Sequence, residues 1–279
     1  MRILDIASVP FWEIAYVSAE VGGASRATTL PLVLGTVDVP PSGVGALLVC
    51  SDLQGRARAA SGASPASLLG EALATDLTLL AESDEIPATQ HIGILLLGDL
   101  FADADAAIRG AHGEVGAVWR SFAAECRWVV GVAGNHDLIG QPPVLGQENA
   151  HLLDGRVVTV DGLRVGGISG VIGSAKAGRG WRRDESSFVG AMRAVLRASP
   201  EILLLHQGPD GGTPEQPGHP AMREALERAG QVLTLCGHVH WPAPLATLQG
   251  GSQVLNVDGR AVLLRARVDE LGAGIGRSS

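Results

Sequence analysis

Lysine is almost missing from this chain of 279 residues: Lys176 is the one lysine, and every other basic residue is an arginine. Positive charge is short as well, with 21 Lys+Arg against 29 Asp+Glu and a net charge of −8. That balance repels phosphate backbones and anionic surfaces at long range, so extended nucleic-acid binding and membrane-surface attachment are not expected. Cysteine is scarce: Cys50, Cys126 and Cys236 are odd in number and widely spaced, with no Cys-x-x-Cys. This excludes a disulfide framework and a thiolate zinc cluster, and points to a reducing cytoplasm. No run of about 18 apolar residues occurs, and Asp5 and Glu13 interrupt the apolar N-terminal stretch, so neither a spanning helix nor a signal peptide is expected. Phosphate-loop and dinucleotide signatures are absent too, and Gly166-Gly167-Ile168-Ser169-Gly170 misses a nucleophile elbow because position 171 is valine.

What the chain does have is core. It is 46% apolar against 18% charged, enough to fold as one large domain spanning 1–279. Short apolar runs recur at Ala46 to Cys50, Ile92 to Leu97, Trp128 to Val132, Ile202 to Leu205 and Val232 to Cys236, and read as buried strands. Helical spacing lies between them, near Ala66 to Ala81, Gly113 to Cys126, Ser186 to Ala198 and Pro220 to Ala229. Ser64-Pro65 and His219-Pro220 are expected helix starts. Strand and helix alternate, as in an α/β layered fold. Val157 to Ile168 and Val254 to Val268 read as hairpins turning at Asp161-Gly162 and Asp258-Gly259. Residues 1–45 read as a β-rich extension ending at Pro40-Pro41, packed on a motif-bearing core over residues 46–258.

Chemistry gathers at the strand ends. The five strands are followed in turn by Asp52-Leu53-Gln54, Gly98-Asp99, Gly134-Asn135-His136-Asp137, His206 and Gly237-His238-Val239-His240. Open α/β sheets place their sites at that edge. The separations leave room for strand–helix–strand units of about 30 residues, so distant motifs can meet. Mixed Asp, Asn and His donors suit a borderline divalent ion such as Mn, Fe, Zn or Co, and the set is large enough for two.

The ordered motifs from Asp52 to His240 resemble those of the calcineurin-like metallophosphoesterases, with one departure: Gln54 stands where that family usually has histidine. The resemblance implies a four-layer αββα sandwich of two mixed β-sheets flanked by helices. It implies a metal-dependent hydrolase of phosphodiesters or phosphomonoesters, with two divalent ions, Mn favoured. Asp99 would bridge the ions, Asp52, Gln54 and His240 holding the first and Asn135, His206 and His238 the second. An ion-bridging hydroxide would attack phosphorus, and His136 would act as general acid, oriented by Asp137 or Asp103. Aspartate after His136 favours a diesterase over a monoesterase acting on a small-molecule or nucleotide ester. Arg179, Arg182 and Arg183, in a glycine-rich loop with Lys176 and Trp181, and His219 are substrate-binding candidates. The competing reading is a metal-binding regulatory or scaffold domain whose catalysis has decayed, prompted by Gln54. Oligomeric state is not set by these features.

Overall fold

The computed structural model describes residues 1–39, 42–57, 66–140, 147–174 and 181–267. Its principal strands are β1 (Ile3–Ile6), β2 (Trp12–Ala19), β3 (Ser25–Val37), β4 (Ala46–Cys50), β5 (Ile92–Leu96), β6 (Trp128–Gly131) and β7 (Ala150–Leu152). They continue with β8 (Arg156–Val160), β9 (Leu163–Ile168), β10 (Ile202–Gln207), β11 (Leu233–Gly237), β12 (Leu245–Thr247), β13 (Gln253–Asn256) and β14 (Ala261–Ala266). Four helices, α1 (Leu69–Glu82), α2 (Gly116–Glu125), α3 (Glu185–Arg197) and α4 (Pro220–Ala229), lie where the apolar spacing predicts them. His219-Pro220 starts α4 as expected, whereas Ser64-Pro65 lies outside the described residues.

Two mixed sheets form. The first runs β7-β6-β5-β4-β14-β3-β2 and continues into short pairings at Arg56–Ala57 and Ser67–Leu68, with β1 on β3; the second runs β8-β9-β10-β11-β13-β12. Side-chain alternation in the strands builds three separate cores. Leu48, Cys50, Ile94 and Leu96 face Leu73, Leu77, Trp119 and Phe122 of α1 and α2. Their neighbours Leu47, Val49 and Leu95 point the other way and meet Ile202, Leu204, Leu233 and Leu235 of the second sheet. Leu203 and Leu205 then face Phe188, Met192, Met222 and Leu226 of α3 and α4. Helix, sheet, sheet and helix therefore stack in four layers, because each central strand is apolar on both faces.

The hairpin expected at Asp161-Gly162 forms, with Val160 opposite Leu163 and both turn residues at positive φ, 47° and 81°. The second expected hairpin does not. β13 pairs with β11 and β12 in the second sheet, while β14 pairs with β3 and β4 in the first. Asp258-Gly259 is a turn, but it carries the chain from one sheet to the other. Turn chemistry is local and does not choose the partner of the strand that follows. The N-terminal strands are built into the first sheet, with β3 parallel to β14 and hairpinned to β2. No helix among the described residues is long and apolar enough to cross a membrane.

Candidate metal centre

β4, β5 and β6 are parallel neighbours, as are β9, β10, β11 and β13, so their C-terminal ends emerge on one edge. Three of the side chains delivered there come from residues in the left-handed region: Asp52 (φ 53°), Asp99 (φ 55°) and His238 (φ 71°). Backbone strain at non-glycine residues gathers at functional sites, where the surroundings hold it in place. The surroundings here are unusually close. A Cβ on Gly134 would overlap the Asp99 carboxylate and amide, and one on Gly237 would overlap Asp52, so both positions admit only glycine.

Asp99 is the hub. One oxygen accepts the His136 amide at 2.9 Å, and the other lies 3.3 Å from His206 Nε2, 3.4 Å from Gln54 Nε2 and 3.9 Å from His136 Nε2. Ligand atoms of Asp99, His206 and His238 all fall within 4.8 Å of one another. His206 is fully buried, and its Nδ1 meets the Leu97 carbonyl at 2.8 Å. That contact makes Nδ1 the donor and turns Nε2 towards the cluster, where its lone pair would serve a cation once the ring is neutral. Both His206 Nε2 and the buried Asn135 Oδ1 have no hydrogen-bond partner. Buried polar atoms without partners are costly, and a carboxylate and two imidazoles gathered within 4.8 Å, with an unpartnered amide oxygen on the same strand edge, match a divalent metal. The residues present therefore fit the ion the sequence implies.

The carboxylates make this edge attractive to positive charge. Burial pushes the Asp99 carboxyl up, and the charge and hydrogen bond of His206 together with the charge and backbone amide of His136 outweigh it, leaving the carboxyl below its ordinary value. Burial pushes His206 down, but the carboxylates of Asp99, Asp52 and Asp137 hold it above. His238 falls to about 4, from burial and then the His206 charge, which leaves it as the neutral imidazole that ligates metal. Asp52, whose Oδ2 accepts from Ser51 Oγ at 2.7 Å and the His238 amide at 2.8 Å, is raised to about 7 chiefly by burial.

The remaining expected residues divide. Gln54 lies beside Asp99, but His240 is not in the gathered cluster: it is exposed, with Nδ1 on the Asp258 carbonyl at 3.0 Å and Nε2 3.5 Å from Arg260 Nη2. Neither Asp137 nor Asp103 makes a hydrogen bond to the His136 ring. Asp137 is 1% exposed and accepts the amides of Asp99, Leu100 and Gly134, each at 2.8 Å, while Asp103 accepts those of Ala107 and Ile108. Asp137 thus ties the Gly98-Asp99 loop to the Gly134-Asn135 loop, and its expected orienting role gives way to a scaffolding one. The ring that His136 does meet is His112, a residue outside every motif block, with centroids 4.5 Å apart. Asp137→Asn is expected to destabilise the protein by about 3 kcal/mol in chemical denaturation, because it sets an amide donor against a buried N–H. A loss under about 1 kcal/mol would refute the scaffolding role.

Among the basic candidates, Arg182 acts on His238 through its charge. Arg183 is engaged elsewhere, donating to both oxygens of Asp154 at 2.8 and 2.9 Å. His219 occupies the N-cap position of α4 without a side-chain capping bond, and its Nε2 approaches Glu185 of α3 at 3.5 Å, a link between helices. Arg179 and Lys176 lie outside the described residues. Trp241 is buried and donates to the Pro217 carbonyl at 2.7 Å, packing in the second sheet's helix layer. All three cysteines are buried and free. Beyond the expected set, Ser51 and Asp258 also belong to this edge.

Fold and edge together define a two-sheet α/β protein with a candidate metal-binding strand edge. The calcineurin-like phosphoesterase description matches residues 46–242, well over half of the chain, and the chain belongs to that family. It is a hydrolase acting on phosphoric esters by metal-dependent chemistry. Comparison with curated proteins finds no match. Among solved structures, the protein TT1561 of Thermus thermophilus is similar at 15% identity and a TM-score of 0.50, over 77% of this chain and 89% of that one. A protein of Staphylococcus aureus described as a candidate 5′-nucleotidase, in complex with alpha-ketoglutarate, is similar at 14% identity and a TM-score of 0.46, over 81% of this chain and 55% of that one. The first likeness is one of fold.

Proposed function

We propose that this enzyme hydrolyses a small-molecule or nucleotide phosphodiester at a centre of two divalent ions, with Mn²⁺ favoured. The observation that carries the reading is the convergence of Asp99, His206 and His238 within 4.8 Å, beside the unpartnered Asn135 Oδ1. Asn135, His206 and His238 would hold one ion, Asp52 and Gln54 the other, and Asp99 both. When bound, the ions supply a clamp on phosphate oxygens and an activated water. The chain's own residues do the rest. His136 stands beside Asp99 without entering the gathered cluster, placed to hand a proton to the leaving oxygen. Its pKa is lowered, mostly by burial and against the pull of Asp99, so a bound phosphate anion is what favours its protonated form.

A diester carries one negative charge where a monoester carries up to two, and the edge is crowded with Asp52, Asp99, Asp137 and Asp258. Those carboxylates disfavour a dianion and support the less charged substrate, while the Arg182 charge, which reaches His238, would hold its single anionic oxygen. Arg182→Ala is expected to raise KM about tenfold with a smaller change in kcat, as loss of one charge-assisted contact does. Arg183→Ala, removing a residue paired with Asp154, should leave KM within about twofold. Equal effects in steady-state kinetics would contradict the assignment.

Gln54 bears on metal choice. An amide oxygen is harder than imidazole, so Gln54→His is expected to shift competition between Zn²⁺ and Mn²⁺ towards Zn²⁺ by about tenfold or more. Unchanged competition would remove Gln54 from the centre. The decayed-domain reading is disfavoured because Asp99 and His136 are both present and adjacent. The direct test is turnover of a chromogenic diester and its monoester by metal-refilled protein, with the diester expected to be faster.

A further inference from the structure

Asp52, Gln54 and His238 form one side of a cavity of about 250 Å³, and two of its walls come from segments outside the motif blocks. One is the end of β2, at Ser18 and Ala19. The other is the loop after Asp99, from Phe101 to Gly110. Arg56 stitches these walls together. Its backbone pairs with Val17 of β2, and its guanidinium donates to the Ala102 carbonyl at 2.7 Å and the Asp103 carbonyl at 3.1 Å. The Tyr16 ring lies so close to the first motif that a Cβ on Gly55 would stand 2.2 Å from it.

The loop is shaped to present Arg109. The Asp103 carboxylate accepts the Ala107 and Ile108 amides at 3.3 and 2.8 Å, and Ala106 is held in the left-handed region at φ 48°. Gly110, at φ 69°, then packs against His136: a Cβ there would stand 2.9 Å from His136 Cε1. Arg109 lines the cavity one residue before that contact and is exposed. Its guanidinium makes no hydrogen bond and no ion pair among the described residues. Ile108, also in the lining, is 63% exposed. An apolar side chain next to an unengaged guanidinium suits an organic group that ends in an anion.

We propose that this cavity receives the leaving arm of the diester, and that Arg109 selects arms ending in an anionic group, a carboxylate or a phosphate. The inference rests on the phosphodiesterase reading and names the substrate class within it. In the reaction water adds to phosphorus, the P–O bond to the arm breaks, and the His136 proton passes to the arm's oxygen. That oxygen must come within hydrogen-bond reach of His136, so the arm attached to it passes the Arg109–Gly110 wall. The carboxylates around the metal centre bear on the charge at phosphorus. A second anion further along the arm meets Arg109 instead, on a loop whose lining acid, Asp103, is turned onto the Ala107 and Ile108 amides.

The test compares methyl phosphodiesters whose second arm is propyl, carboxyethyl or phosphooxypropyl, with products followed by phosphorus NMR. Wild-type kcat/KM is expected to be at least about tenfold higher for an anionic arm than for propyl, as one charge-assisted contact gives. Methyl phosphate should be the product, because the anchored arm is the one that leaves. The faster of the two anionic arms tells a carboxylate from a phosphate. Arg109→Ala should bring the anionic-to-propyl ratio within about twofold of one, and Arg109→Lys should keep part of it. Arg182→Ala, run alongside, should lower kcat/KM for all three arms alike. A wild type indifferent to arm charge, or a preference that survives Arg109→Ala, would overturn the inference and leave the phosphoesterase reading intact. So would release of methanol in place of the charged arm. No turnover of these esters or of a chromogenic diester by metal-refilled protein would sink both.

Discussion

Asp99→Asn is expected to lower kcat/KM by at least about 10³-fold and to abolish tight metal uptake, while the protein still folds. The substitution keeps the size of a side chain that is 3% exposed, so packing between the Gly98 and Gly134 loops survives. It removes the one carboxylate that faces His206, Gln54 and His136 together. It also removes the countercharge that holds a buried His206 above its usual pKa. An amide offers a neutral oxygen or an N–H in its place, and an N–H directed at His206 would repel the ions the oxygen attracts. In the proposed two-ion centre Asp99 would serve both ions, so its loss is not repaired by raising metal concentration. Metal content and kcat/KM at saturating Mn²⁺ check this. Activity within about tenfold of wild type would remove Asp99 from the centre.

His136→Ala is expected to cost about 10²- to 10⁴-fold in kcat for an alkyl ester, the usual worth of a positioned general acid. For a nitrophenyl ester the loss should stay below about tenfold, because that leaving group departs without a proton. The contrast separates chemistry from structure. His136 is half-buried and its ring has no hydrogen-bond partner at Nδ1, so truncation leaves no broken network behind. Its backbone N–H donates to the Asp99 carboxylate, a hydrogen bond that persists in the variant. A series of esters of graded leaving-group acidity reads the effect. Equal losses across the series would show that His136 supports binding or folding instead of proton transfer.

The layered fold and most of the centre are legible from residues alone, for one physical reason. A strand buried on both faces reads as an unbroken apolar run, so Ala46 to Cys50 and Ile202 to Leu205 declare themselves, and the polar residues that follow must lie at a strand end. Asp52, Asp99, Asn135, His206 and His238 are found this way. Partnership is not legible. Asp258-Gly259 has the chemistry of a hairpin turn, but the strands on either side belong to different sheets, and that misreading hid Asp258. Asp137 sits inside a specific motif, yet its role is set by backbone amides of Asp99 and Leu100 that lie far off in sequence. His112 meets His136 only because the loop after Asp99 folds back, a non-local contact that composition and spacing do not encode.

The most direct measurement is hydrolysis of bis(p-nitrophenyl) phosphate by metal-stripped protein, before and after refilling with Mn²⁺. The account predicts negligible turnover when stripped, recovery that saturates with bound metal, and faster cleavage of this diester than of p-nitrophenyl phosphate. Turnover that is indifferent to metal removal, or none with any divalent ion, would contradict it.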